Sequence, residues 1–262
     1  GKPADSLVWT HRADEGFDIY FLSNQASTAK TLNLSLRVQG RLPELWDPLT
    51  GNREAARTWN SNKGRTSLPV RLEPGGSVFV VFQTPTAQQS SDKGKNWIEA
   101  KTAQTLTGNW QVRFDTAFGG PAKDVQFSSL TDWRYHTDTT IRYYSGKAVY
   151  EKSFRWNRPV HSAQPVWLSL GKVANIAEVF VNGISCGIVW TAPYRVNISP
   201  ALKKGENQLR IEVINTWNNR MVGDSRLPKE KRIAYTVYPF KIEGKPLLPA
   251  GLLGPVTIEV AK

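Results

Sequence analysis

The segment from Ala177 to Asp224 limits the possible fold more than any other part of the chain. It reads AEVFVNGISCGIVW and then, after two residues, PYRVNISPALKKGENQLRIEVINTWNNRMVGD. Apolar residues alternate around Val179 and Val181 and again at Leu209, Ile211 and Val213, the two-residue period of strands that bury one face. Asn182-Gly183 between apolar flanks predicts a tight hairpin, because both central positions of such a turn need positive φ and Asn and Gly tolerate it. A β-sheet is therefore expected. Indole, amide, guanidinium and carboxylate groups gather where its strands end.

The same alternation runs through the rest of the chain. TLNLSLRVQ places Leu32, Leu34, Leu36 and Val38 on one face, and DIYFLSN and SVFVVFQ read as neighbouring strands. NWQVRFD, AVYEKSFRW, PVWLSLGKV, LRIEVIN and GPVTIEV continue the pattern, while helical periodicity is almost absent. Ten Trp, ten Phe and eight Tyr suit pleated, half-buried surfaces. At 262 residues the chain is long enough for two cores. Residues 84–96, TPTAQQSSDKGKN, carry hardly any apolar side chains and are expected to form a linker. The expected fold class is all-β, a sandwich or jelly roll, with a domain boundary in that stretch.

Composition also removes function classes. The net charge of +12 suits a phosphate backbone, but the basic residues are scattered and broken by acids, with no recognition-helix or RNA-binding signature. No nucleic-acid partner is expected. No apolar run approaches the roughly 20 residues of a membrane span, and no secretion signal opens the chain, whose Gly1-Lys2-Pro3 start reads as a cleavage product. The one cysteine, Cys186, excludes an internal disulfide and is expected to be buried and inert. Phosphate loops, GxGxxG, HExxH and GxSxG are all missing. His11, His136 and His161 stand in separate segments without ligand spacing. Loop carboxylates show no calcium-type spacing. No cofactor and no metal is assigned.

Two chemistries remain. Glycoside hydrolysis needs only two carboxylates about 5–9.5 Å apart, and Asp14, Glu15, Asp18, Asp47, Asp115, Asp132, Asp138, Glu178, Glu212 and Asp224 are all available; none stands out, and Glu212 reads as solvated. Carbohydrate binding asks for flat aromatic faces with amides, carboxylates and guanidinium groups at the edge of a sugar ring. Trp190 and Tyr194 after the hairpin, and Trp217, Asn219, Arg220 and Asp224 after the strand ending at Asn215, supply that set. The alternatives are that Trp190 and Trp217 cap the core and that Arg220 pairs with Asp224. Trp110, Trp156 and Trp167 lie within strand patterns and are expected in the core.

YEKSFRW, LSLGKVANIAEVFVNGISCGIVW and PYRVNISPALKKGENQLRIEVINTW resemble the galactose-binding-like, sugar-binding jelly roll of glycoside hydrolase family 2 and related families. LPELWDPLTG at residues 42–51, YYSGKAVYEKSF, NTWNNRMVGD and LLPAGLLGPV are similar to the C-terminal region of bacterial family 106 α-L-rhamnosidases. The resemblance implies a small β-sandwich over residues 1–90 and a galactose-binding-like jelly-roll β-sandwich over residues 97–262, with a catalytic barrel N-terminal to the matching region and outside this chain, so no family catalytic residue is carried over. It further implies an accessory role toward a plant or microbial glycan, and a periplasmic or extracellular location. A purely structural role on the barrel and a self-sufficient hydrolase are the competing expectations.

Overall fold

Strand alternation builds two units, residues Gly1–Glu99 and Ala100–Lys262. A computed structural model describes residues 6–159, 165–237, 242 and 244–262; His161 lies outside them.

In the first unit two antiparallel sheets enclose one core. Five strands lie in the order Leu7–Asp14, Phe17–Asn24, Ser77–Pro85, Arg41–Trp46 and Arg53–Ala55, and four in the order Lys30–Leu36, Arg65–Leu72, Thr58–Asn62 and Ser90–Asp92. Alternate residues Tyr20 and Leu22, Leu34 and Leu36, Leu68 and Val70, and Val80 and Phe82 fill the space between them. The family-type segment at residues 42–51 is a strand plus its turn. The Asp47 carbonyl accepts from Gly51 N at 2.9 Å, the Asp47 carboxylate accepts from Leu49 N at 2.8 Å, and Arg53 lies 4.0 Å from the Trp46 ring centre.

The polar stretch 84–96 is not a linker. Ser90–Asp92 adds a strand beside Thr58–Asn62, and Asn96 accepts from Arg57 N and Thr58 N and donates to Thr58 O and Pro69 O. Backbone pairing at a sheet edge asks for little apolar content, so the first unit extends past the expected boundary.

The second unit is a sandwich of a six-stranded sheet and a four-stranded one. The larger runs Val125–Phe127, Trp110–Phe114, Lys147–Trp156, Gly205–Ile214, Ile176–Val181 and Ile184–Val189. The smaller runs Ala100–Thr105, Thr257–Ala261, Val166–Ser169 and Arg195–Asn197. The hairpin forms where its sequence places it, with Asn182 at φ 52° and Gly183 at φ 82°. Val179, Val181, Leu209, Ile211 and Val213 point inward, and Trp110, Trp156 and Trp167 are buried. Cys186 is half-buried rather than buried, and burial raises its thiol pKa. The stretch after Trp217, expected as a loop, is a short helix, Asn218–Asp224. Gly223 lets that helix approach Tyr143: a Cβ there would lie 2.7 Å from the tyrosine Cβ.

Candidate functional site

Strand register gathers the long loops at one end of the second unit. Lys147 pairs with Ile214, Ile214 with Ile176, Phe114 with Ala148, and Ala177 with Val189. Residues 115–146, 190–194 and 215–237 therefore all lie at the same end of the sandwich. Every site residue expected from the sequence lies here, but they divide into two sets.

Asn219, Arg220 and Asp224 face inward and are 1 %, 9 % and 1 % exposed. The Asn219 amide donates to Leu248 O and accepts from Leu248 N, both at 2.8 Å, mimicking a strand pair. Arg220 Nη2 lies 3.1 Å from Asp224 Oδ1. Neither Arg220 Nε nor Asp224 Oδ1 has an aligned hydrogen bond, so this is a charge contact. Asp224 Oδ2 accepts from Ile233 N and Ala234 N at 3.0 and 2.7 Å. Of the two readings open for Arg220 and Asp224, the geometry is that of the mutual pair. Asn219 likewise has its amide filled by backbone, which corrects the expectation of an open polar rim.

Trp190 and Trp217 face outward, at 61 % and 53 % exposed. They do not cap the core. Tyr194 is intermediate: its ring packs against the core, and its carbonyl accepts from Leu170 N at 2.9 Å. Phe118, Tyr135 and Tyr235 are also exposed on loops leaving this end. Ile176 and Ile214, paired across neighbouring strands, are exposed on the outer face, and Trp190 leaves the adjoining strand beside Ile176.

An anchor that the sequence did not single out holds these loops. Asp132 accepts from Ala250 N and Arg134 N and pairs with Arg134 at 2.8 Å; that hydrogen bond raises the arginine pKa further above its ordinary value. Trp133 Nε1 donates to the Tyr150 hydroxyl at 2.7 Å, and the same oxygen accepts from Leu252 N. Burial pushes the Tyr150 phenol well up. Asn215 accepts from Gly146 N and donates to Tyr144 O, and Ser145 Oγ accepts from Arg220 N. The anchor joins YYSGKAVYEKSF, NTWNNRMVGD and LLPAGLLGPV, so the segments that carry the rhamnosidase-type resemblance here are architectural. Three matching motifs far apart in sequence were the available signal.

Glu151 and Glu206 lie on the outer face of the six-stranded sheet, as do Glu178 and Glu212, which stand directly opposite each other. The opposed two are held. Glu212 pairs with Lys147 at 2.9 Å and Arg210 at 2.5 Å, so it is ion-paired rather than solvated, and Glu178 accepts from Ser185 Oγ at 2.8 Å. Among the described residues no group of three or more His, Cys, Asp or Glu is placed to hold a metal ion. No helix among them is long and apolar enough to cross a membrane.

Comparison with known proteins follows this division. The profile of glycoside hydrolase family 106, described as alpha-L-rhamnosidase, matches residues 2–60, and that of the glycosyl hydrolase family 2 galactose-binding domain-like group matches residues 138–240. The structure of a rhamnosidase from Novosphingobium sp. PP1Y is 35 % identical with a TM-score of 0.85, covering 98 % of this chain and 25 % of that one. A protein of Formosa agariphila named "Putative beta-glucuronidase" is 29 % identical over 88 % of this chain and 22 % of its own length. The chain thus spans about a quarter of the length of these relatives. Its two units are glycoside-hydrolase-related domains, the first similar at residues 2–60 to the family 106 α-L-rhamnosidases and the second to the galactose-binding-like domain of family 2.

Proposed function

We propose that the chain is a non-catalytic accessory region of a longer bacterial glycoside hydrolase acting on rhamnose-containing or related glycans, and that the loop-bearing end of its second unit meets the glycan. The observation that carries this reading is the division at that end: buried polar groups fix the loops, while Trp190 and Trp217 are held outward on a rigid base. Indole faces stack on the C–H faces of sugar rings without needing a deep cleft. Asp132, Asp224, Glu178 and Glu212 are each held by partners in the fold, which supports placing bond cleavage on a catalytic barrel outside these residues. A periplasmic or extracellular location belongs to the same proposal and rests on the resemblance.

Titration with rhamnose-containing oligosaccharides tests the contact. Saturable binding that weakens about tenfold in Trp217→Ala or Trp190→Ala, the equivalent of about 1.4 kcal/mol, supports it. Equal, unsaturable signals from all three proteins defeat it.

One observation favours a second reading, a structural surface that packs on the catalytic domain. Ile176, Ile214 and Ile188 are exposed together beside Trp190, and contiguous exposed apolar patches mark protein contacts. Loss of thermal stability of the longer enzyme on Ile176→Lys, without loss of glycan binding by this chain, would favour that role.

A further inference from the structure

The opposite end of the second unit is built differently. There the sandwich is left open between its sheets as a cavity of about 370 Å³. Trp156 closes the strand Lys147–Trp156 on one wall, Val166 and Val260 form the other, and Pro159 narrows the side. This volume lies within the range of small-ligand sites, and its lining mixes apolar side chains with the cations Lys101 and Arg158.

Two cations stand on that wall. Lys101 pairs with Val260, which pairs with Val166, so the three share a face, and that face is the one on which Val166 enters the core. Lys101 stands exposed on the edge strand of that face, beside Val260. The Arg158 guanidinium carbon lies 5.7 Å from the Trp156 ring centre. No carboxylate lines the cavity among the described residues. Trp156 also keeps a buried indole N–H with no acceptor among the described residues.

We propose that this cavity binds a carboxylate-bearing sugar ring, such as a uronic acid residue of an acidic glycan. The apolar wall accepts the C–H face of the ring, and Lys101 and Arg158 receive its carboxylate through charge-assisted hydrogen bonds. The choice of a sugar acid among small organic anions rests on the glycan-related reading above; the cavity and its charge do not.

The test is calorimetric titration of this chain with D-glucuronate, D-galacturonate, D-galactose and acetate, repeated on Lys101→Ala and Arg158→Ala. Expected is saturable binding of one or both uronates at least tenfold tighter than galactose or acetate, weakened about tenfold in each variant with thermal midpoints unchanged. Absence of uronate binding, or binding unaltered by both substitutions, overturns the proposal and leaves Lys101 as a charge that guards a strand edge. Acetate binding equal to that of the uronates overturns the sugar assignment. Trp217→Ala serves as the control that separates this site from the loop end: the proposal requires it to leave uronate binding unchanged, whatever it does to rhamnose-containing ligands.

Discussion

Arg220 and Asp224 form a buried ion pair at 3.1 Å whose carboxylate also receives two backbone N–H groups, from Ile233 and Ala234. The pair ties the helix Asn218–Asp224 to the chain that follows it. Burying two charges offsets much of their attraction, whereas removing one partner strands the other.

Asp224→Ala is therefore expected to destabilise the second unit by about 3–5 kcal/mol. Residues 231–234 should also become open to cleavage after Lys231 or Arg232. Denaturant unfolding and limited trypsin digestion measure both; an unchanged midpoint with unchanged digestion would show that the pair holds nothing.

Asn219 makes a two-way amide contact with Leu248. Asn219→Ala leaves the Leu248 N–H and carbonyl without these partners, at a cost of about 1 kcal/mol for each hydrogen bond lost. Asn219→Asp should be the worse of the two, because a carboxylate would face the Leu248 carbonyl. Chemical denaturation of the two variants side by side checks the order.

How far these anchors were legible beforehand varied with sequence distance. The hairpin at Asn182-Gly183 and the inward rows at Leu34 and Leu36 or Leu209, Ile211 and Val213 follow from a two-residue period, a local property. Asn219, Arg220 and Asp224 look like surface groups in sequence because their partners cannot be read locally: Leu248 is 29 residues away, and Ser145 is 75 residues from Arg220. The same holds for Asp132, whose bond to Ala250 spans 118 residues. The stretch 84–96 misled for the converse reason, since an edge strand such as Ser90–Asp92 is held by backbone bonds that composition does not reveal.

Tyr150 sets an alkaline limit on the second unit. Its phenol is fully buried, chiefly burial raises its pKa, and it accepts from Trp133 and Leu252. Above about pH 10 the unfolded chain releases this proton while the folded chain keeps it, so the unfolded state binds fewer protons and stability falls as pH rises. Tyr150→Phe should remove up to about 1.4 kcal/mol per pH unit from that slope. It should also lower stability at neutral pH, since the Trp133 N–H loses its acceptor. Urea midpoints from pH 8 to 11 measure the difference; identical slopes would contradict it.

Gly251 stands at φ 103°, and a Cβ there would lie 2.5 Å from Trp133 Nε1. Left-handed strain and overpacking against a buried indole act together, so Gly251→Ala is expected to cost about 3 kcal/mol or more. The fluorescence of the buried tryptophans during thermal unfolding reads the loss, and a wild-type melting curve would show that the indole has room to move.

The account turns on whether this chain breaks a glycosidic bond by itself. Incubating the 262-residue chain with an aryl α-L-rhamnoside and following aglycone release measures this directly. The account predicts release no faster than in buffer alone; steady turnover abolished by replacing one Asp or Glu of this chain would contradict it.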